Sequence, residues 1–305
     1  MQGEQQFASQ FANIHTHTNF CDGTDDIETY CLAAHEKGLS SLGFSAHSPV
    51  TRKTGILSIW NMADDKLEEY LEAVQKAKKR WEGKLKVYLG LEIDYVQGMM
   101  GPADKEYMDM DLDFIIGAVH YVIPPKGAPI TIDGAAELVE RGIREGFDGD
   151  HMGMVEMYMN LQEAMIKEGG FDVLAHPDVL KKNNIGPDGR TDRIFSEDNE
   201  FYLKRTEVLA KLMGKKDKGK TRVIEVNTGG LNREKTRDCY PSLPFLKLFR
   251  QQGVGAVINS DAHNAEHLIG HYEEACKQML AAGYEETVLF EGREGGNALW
   301  RGVRL

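Results

Sequence analysis

Two histidines one residue apart, His15 and His17 in the stretch HTHTNFCDG (15–23), close an apolar run. Neutral imidazole nitrogens are common ligands of divalent transition ions. Side chains at i and i+2 of a strand point to one face, so the pair can serve one site. One such pair is more often a hydrogen-bonded loop feature than a ligand pair. The rest of the chain decides the matter, because residues of the same kind end other strand-like runs. His47 ends the second, Glu92 the third, His176 the fifth, and Asp261 and His263 the seventh; His120 lies near the end of the fourth. Asp22 follows the first run in its loop, with Cys21 and Asp25 at neighbouring positions. The sixth run, VIEVNTGGLNR, brings no strong ligand and leads instead to Gly229, Gly230 and Arg233.

Six of the ten histidines thus fall at strand ends with three carboxylates. That is more than one four- to six-coordinate ion can use, and it suits two or three divalent ions of the zinc, iron or manganese type. His35, His151, His267 and His271 lie within or beside helical stretches and are read as structural or exposed.

The elements that must position these residues alternate regularly. Strand-like runs occupy 11–17, 42–47, 86–94, 113–122, 171–177, 222–230 and 255–263. Helical spacing marks 25–39, 61–81, 156–169, 199–214, 242–253 and 267–283, with Gly38 as a stop signal. Such alternation implies parallel strands joined by crossover helices. A closed barrel, with its chemistry at the C-terminal strand ends, accounts for where the polar residues fall. No shift of composition divides the chain, so residues 1–305 are read as one domain. The run GKKDKGK (214–220) reads as a solvated turn.

Bulk properties set the remaining bounds. Apolar residues make up 41% and charged residues 28%, and the net charge is −12. That charge argues against a nucleic-acid partner, since phosphate backbones need basic faces. A small phosphorylated substrate stays compatible, because bound ions reverse the local sign. No apolar run approaches a membrane span, and the N-terminus MQGEQQFASQFANI lacks the apolar centre of a signal peptide. Cys21, Cys31, Cys239 and Cys276 show no CxxC spacing, so a reducing cytoplasm is the expected setting.

The ordered set HTHT (15–18), GFSAH (43–47), GLEID (90–94), GAVH (117–120), LAHP (174–177) and NSDAH (259–263) resembles the PHP superfamily, named for polymerase and histidinol phosphatase. The details FCDG, GLEIDYVQG, IDGAAELVERG, HPDVLKK and EVNTGGLNR with a following YPS are most similar to its histidinol-phosphate phosphatase branch. The resemblance implies a distorted (β/α)7 barrel with a di- or trinuclear metal site. It implies as ligands His15, His17, Asp22, His47, Glu92, His120, His176, Asp261 and His263. It further implies hydrolysis of L-histidinol phosphate to L-histidinol and phosphate in histidine biosynthesis. The alternative within the family is a phosphoesterase acting on a nucleotide, a sugar phosphate or phosphotyrosine. The segments at 183–195 and 214–220 are longer than the family leads one to expect and bear on specificity.

The chemistry expected of such a site is hydrolysis by a water that bridges two ions, loses its proton near neutral pH and attacks phosphorus in line. Arg233, after the Gly-Gly turn, is placed to fork onto two phosphate oxygens, and Lys182 offers a second phosphate contact. Asp261 or His263 would steady or protonate the leaving alkoxide. Tyr240 is a candidate wall for the organic part of the substrate. An amidohydrolase-type barrel fits less well, since no strand-end lysine is placed to bridge two ions. A metal-bound scaffold without activity is the reading from another class.

Overall fold

The computed structural model describes residues 10–186, 192–215 and 221–305. The segments 183–195 and 214–220 lie partly outside them. Seven parallel strands form one sheet: β1 (Ala12–Asn13), β2 (Ser41–Phe44), β3 (Lys86–Asp94), β4 (Phe114–Ala118), β7 (Val173–Leu174), β8 (Val223–Asn227) and β9 (Ala256–Asn259), neighbours in that order. The other strands are two antiparallel ribbons, β5 (Tyr121–Val122) with β6 (Ile130–Thr131), and β10 (Glu286–Glu294) with β11 (Asn297–Arg304).

The sheet curls until its first and last strands meet. His17 N–H donates to Ala262 O at 2.9 Å and Ala262 N–H to His15 O at 3.2 Å, around a parallel bridge between Thr16 and Ala262. This seam completes a distorted (β/α)7 barrel, and it sets His15 and His17 directly beside Asp261 and His263. Helices α1 (Ile27–Lys37), α2 (Leu67–Arg80), α3 (Ala136–Gly146), α4 (His151–Glu168), α5 (Glu200–Met213), α6 (Leu243–Gln251) and α7 (Tyr272–Ala282) pack outside. The pattern of α1 shows why: Ile27, Tyr30, Cys31 and Ala34 form its buried stripe. Asp26 caps its start by accepting from Thr29 N–H at 2.8 Å, and Gly38 ends it at φ 78°. Tyr30 of this helix donates to Ala262 O at 3.1 Å, tying it to the seam.

The barrel interior is layered. Its lower half is filled by Ile14, Tyr88, Phe114, Ile116, Val173, Val223 and Val257, closed from below by Phe290 of β10. Phe290 meets Tyr88 edge-on at 4.8 Å between ring centroids and Phe114 at 5.6 Å. Polar side chains begin only above this plug, at the C-terminal ends.

All seven expected strands exist, but most pair over fewer residues than their apolar runs suggest. Ladder pairing of the first run stops at Asn13, and the histidines stand on the rim beyond it. The helix expected over 61–81 begins at Leu67, since 61–66 forms a loop; the one expected from 156 begins at His151, capped by Asp150. The stretch expected to open the last helix is a separate 3-10 turn, Ala265–Ile269. The sequence reading assigned neither α3 nor the β10–β11 ribbon. Among the described residues no helix is long and apolar enough to cross a membrane.

Candidate metal centre

The nine residues singled out in the sequence converge at the C-terminal rim. Glu92, wholly buried on β3, lies at the middle. Its Oε2 faces His47 Nδ1 at 2.9 Å, His15 Nε2 at 3.3 Å and His17 Nε2 at 3.5 Å. Its Oε1 faces His176 Nε2 at 3.0 Å and His120 Nε2 at 3.6 Å. Asp261 Oδ1 lies 3.0 Å from His17 Nε2 and 3.8 Å from His15 Nε2. Asp22 and His263 complete the outer side, with His263 Nε2 3.1 Å from Asp22 Oδ2 and its ring stacked on His17 at 4.3 Å.

This geometry fits divalent ions. His15 Nε2, His17 Nε2, His47 Nδ1, Glu92 Oε2 and Asp22 Oδ1 are buried without a well-formed hydrogen bond among the described residues. Yet they lie near one another in overlapping groups: His17, Asp22, His47 and His263; His15, His17 and Glu92; Glu92, His120 and His176. Buried polar atoms left without donors are costly. Ligand atoms about 2.1 Å from a shared ion would be about 3.0–3.4 Å apart, near several of the spacings seen. The bridging position of Glu92 makes more than one ion the natural filling.

Electrostatics agree. Burial alone would raise Glu92, but the imidazoles of His47, His15 and His120 hold it well below the usual carboxylate range. Asp261 behaves alike, with Arg233 and His15 overcoming burial. Burial, with His263 and His47 beside it, pushes His17 down to about 3, so its ring is neutral and free to ligate. His47 and His120 go the other way: nearby carboxylates outweigh burial and lift them to about 10 and about 9.

A further ring of groups holds the ligands. His15 Nδ1 lies 2.7 Å from Glu225 Oε1, and Glu225 in turn accepts from Asn227 Nδ2 and Asn259 Nδ2, each at 2.9 Å. His120 Nδ1 lies 2.8 Å from Asp94 Oδ1. Carboxylates that take the second ring proton of a histidine fix its tautomer and aim the other nitrogen at the ion. The sequence reading missed both acids. Each stands within a strand run, where nothing in the sequence says which histidine it will face.

The site opens into a cavity of about 790 Å3. Arg233 and Lys182 line it with Asp133, Glu137, Glu234 and Trp60. Arg233 Nη2 donates to Asp261 Oδ2 at 3.0 Å and its Nε to Gly229 O at 3.1 Å. Gly229 is what allows this: a Cβ there would lie 2.8 Å from Arg233 Nη2 and 2.9 Å from Asp261 Oδ2. Lys182 pairs with Asp133 at 3.3 Å. Tyr240 stands behind the centre, 1% exposed, with its ring 6.5 Å from that of His176. His35, His151, His267 and His271 take no part in these groups.

A parallel barrel whose rim gathers six histidines and three acids has the make-up of a metal-dependent hydrolase. A sequence model of the PHP domain matches residues 13–229. The chain belongs to the PHP domain family, in its histidinol-phosphatase branch. It is 29% identical over 284 residues to a Deinococcus radiodurans protein named probable histidinol-phosphatase, covering 92% of this chain and 96% of that one. Two solved structures share the fold. A candidate histidinol phosphatase from Listeria monocytogenes superposes with a TM-score of 0.73 at 23% identity, covering 86% of this chain and 98% of that one. Histidinol phosphate phosphatase from Lactococcus lactis, complexed with zinc, L-histidinol and phosphate, gives 0.63 at 18% identity, covering 95% and 98%.

Proposed function

We propose that this chain hydrolyses L-histidinol phosphate to L-histidinol and phosphate, the dephosphorylation step of histidine biosynthesis, as one catalytic domain in the cytoplasm. The observation that carries the reading is the convergence of nine candidate ligands beside a cavity whose walls bear both cations and acids. His15, His17, Asp22, His47, Glu92, His120, His176, Asp261 and His263 would hold two or three zinc, iron or manganese ions. Such ions, when bound, acidify water to near neutral pH and offset phosphate charge.

The chain's own residues supply the rest. Arg233, braced by Asp261 and Gly229 O, presents a guanidinium that forks onto phosphate oxygens. Lys182 adds a second cation to the cavity lining, held by Asp133. Asp261 and His263 both line the cavity; Asp261, kept ionised by Arg233, makes a poor acid, and His263 can protonate the leaving alkoxide only if it is not itself holding an ion. Asp133, Glu137 and Glu234 give the cavity an acidic side that suits an ester carrying an ammonium group, as L-histidinol phosphate does. Tyr240, expected to wall the organic part of the substrate, instead lies buried behind His176 and does not line the cavity.

The test is phosphate release by manganese- or zinc-loaded protein from L-histidinol phosphate, p-nitrophenyl phosphate and a nucleotide monophosphate. A strong preference for the first, abolished by His17→Ala, is the expected result. Release from the others alone would keep the phosphoesterase chemistry and overturn the substrate.

A further inference from the structure

The hydrogen bonds around His120 do not stop at Asp94. Asp94, 1% exposed, accepts through Oδ2 from Asn61 Nδ2 at 2.9 Å. Asn61 Oδ1 accepts from the Tyr121 hydroxyl at 2.7 Å, and that oxygen accepts from Trp60 Nε1 at 2.8 Å. Every donor in the chain is used once and each meets an acceptor: indole N–H to phenol, phenol O–H to amide carbonyl, amide N–H to carboxylate, imidazole N–H to the same carboxylate. Its sense leaves His120 Nε2 as the free nitrogen, facing Glu92 Oε1 at 3.6 Å.

The far end of this chain reaches the substrate side, since Trp60 lines the main cavity and the smaller 270 Å3 pocket beside the β5–β6 ribbon. The loop is tied to the centre a second time: Asn61 Nδ2 also donates to Ser48 O at 2.9 Å, and Met62 N–H donates to His47 O at 3.2 Å. Two rim histidines on either side of β3, His47 after β2 and His120 after β4, are therefore held from one short stretch, residues 60–62. Met62 is buried at 3% exposed and seats the end of this stretch in the core, while Leu57 and Ile59 just before it are 89% and 90% exposed, so Trp60 and Asn61 are held by these hydrogen bonds.

We infer that Asn61, Tyr121 and Trp60 are positioning residues for His120. They set its ring through Asp94, so that the loop walling the cavity and the ion held by His120 depend on each other. This rests on reading the rim as a metal centre. It does not depend on which phosphate ester is hydrolysed. A carboxylate partner of a ligating histidine typically contributes 10- to 100-fold in ion affinity. Groups that orient that carboxylate should lie at the lower end.

Tyr121→Phe keeps the buried ring and removes both hydrogen bonds of its oxygen, while Asn61→Ala removes the link to Asp94 itself. Manganese titration of ion-free protein, with metal analysis after dialysis, is the readout. The expected result is that both variants bind one ion about tenfold more weakly and hold the others as the wild type does. Wild-type affinity at every position in both variants would overturn the inference. So would equal weakening of every ion with a lowered ion-free melting temperature, which marks a merely structural role. Wild-type protein that binds no manganese or zinc would overturn the metal centre and this inference with it. Failure to turn over L-histidinol phosphate leaves the titration intact and bears on the substrate alone.

Discussion

Five imidazoles face the two oxygens of Glu92, and no other side chain of the centre is shared so widely. Glu92→Gln preserves the shape and removes the charge, leaving an amide N–H where a ligand oxygen stood. Partners of ligands alone are worth 10- to 100-fold, so losing this bridging ligand should lower phosphate release at least about a hundredfold. Metal analysis should show fewer bound ions; an unchanged ion count would remove Glu92 from the centre. Arg233 answers a different question. Arg233→Lys keeps one charge but cannot fork onto two oxygens while leaning on Asp261. Its expected signature is a KM raised about tenfold, near 1.4 kcal/mol, with ion content unchanged. A variant with wild-type KM would place the phosphate elsewhere. The residues that gather at the rim were legible in the sequence because all but Asp22 close, or nearly close, a strand-like run. Asp94 and Glu225 were not, since an acid inside an apolar run reads first as part of a strand, and only the fold shows which histidine it faces.

At the scale of elements, two motif glycines have a packing explanation. Phe114 crosses the barrel interior, and a Cβ on Gly90 would lie 2.5 Å from its ring; one on Gly43 would lie 2.9 Å away. The ring is wholly buried among strand side chains and cannot swing aside cheaply. Gly90→Ala should therefore destabilise the fold by about 1–3 kcal/mol, read as a lowered urea midpoint, and should disturb β3 just before Glu92. An unchanged midpoint would mean the barrel breathes more than its packing implies. The strands themselves were legible because β-branched runs alternate with helical spacing. Their ends were not, because ladder pairing stops where the chain bends toward the rim, as at Asn13. The β10–β11 ribbon carried a readable Gly295-Gly296 turn, both at positive φ, between alternating residues. What no pattern could reveal is that Phe290 within it plugs the barrel floor. Likewise the loop 61–66 looks helical, but Asn61 is held by Asp94, Ser48 and Tyr121 instead.

The whole molecule carries a net charge of −12, and at its rim the neighbouring carboxylates favour the protonated forms of His47 and His120 when no ion is present. His47 and His120 are lifted to about 10 and about 9 by Glu92, Asp94 and their neighbours against the pull of burial. In the unfolded chain such rings titrate near about 6.5. Protons on these two rings therefore stabilise the ion-free fold fully below about pH 6.5, and that contribution is lost as pH climbs through about 9 and then about 10. A divalent ion must displace the same protons to bind, so its affinity moves the opposite way and strengthens as pH rises. Each displaced proton is worth about 1.4 kcal/mol per pH unit. The two are one proton linkage seen from both sides, and through it the gap between loaded and ion-free protein widens. The melting-temperature gain from saturating manganese should thus grow steadily from about pH 6.5 to about pH 8.5, and titration calorimetry in two buffers should report proton release on binding. A gain that is flat or shrinks over that range, with no proton release, would mean that the ions do not occupy the positions held by His47 and His120.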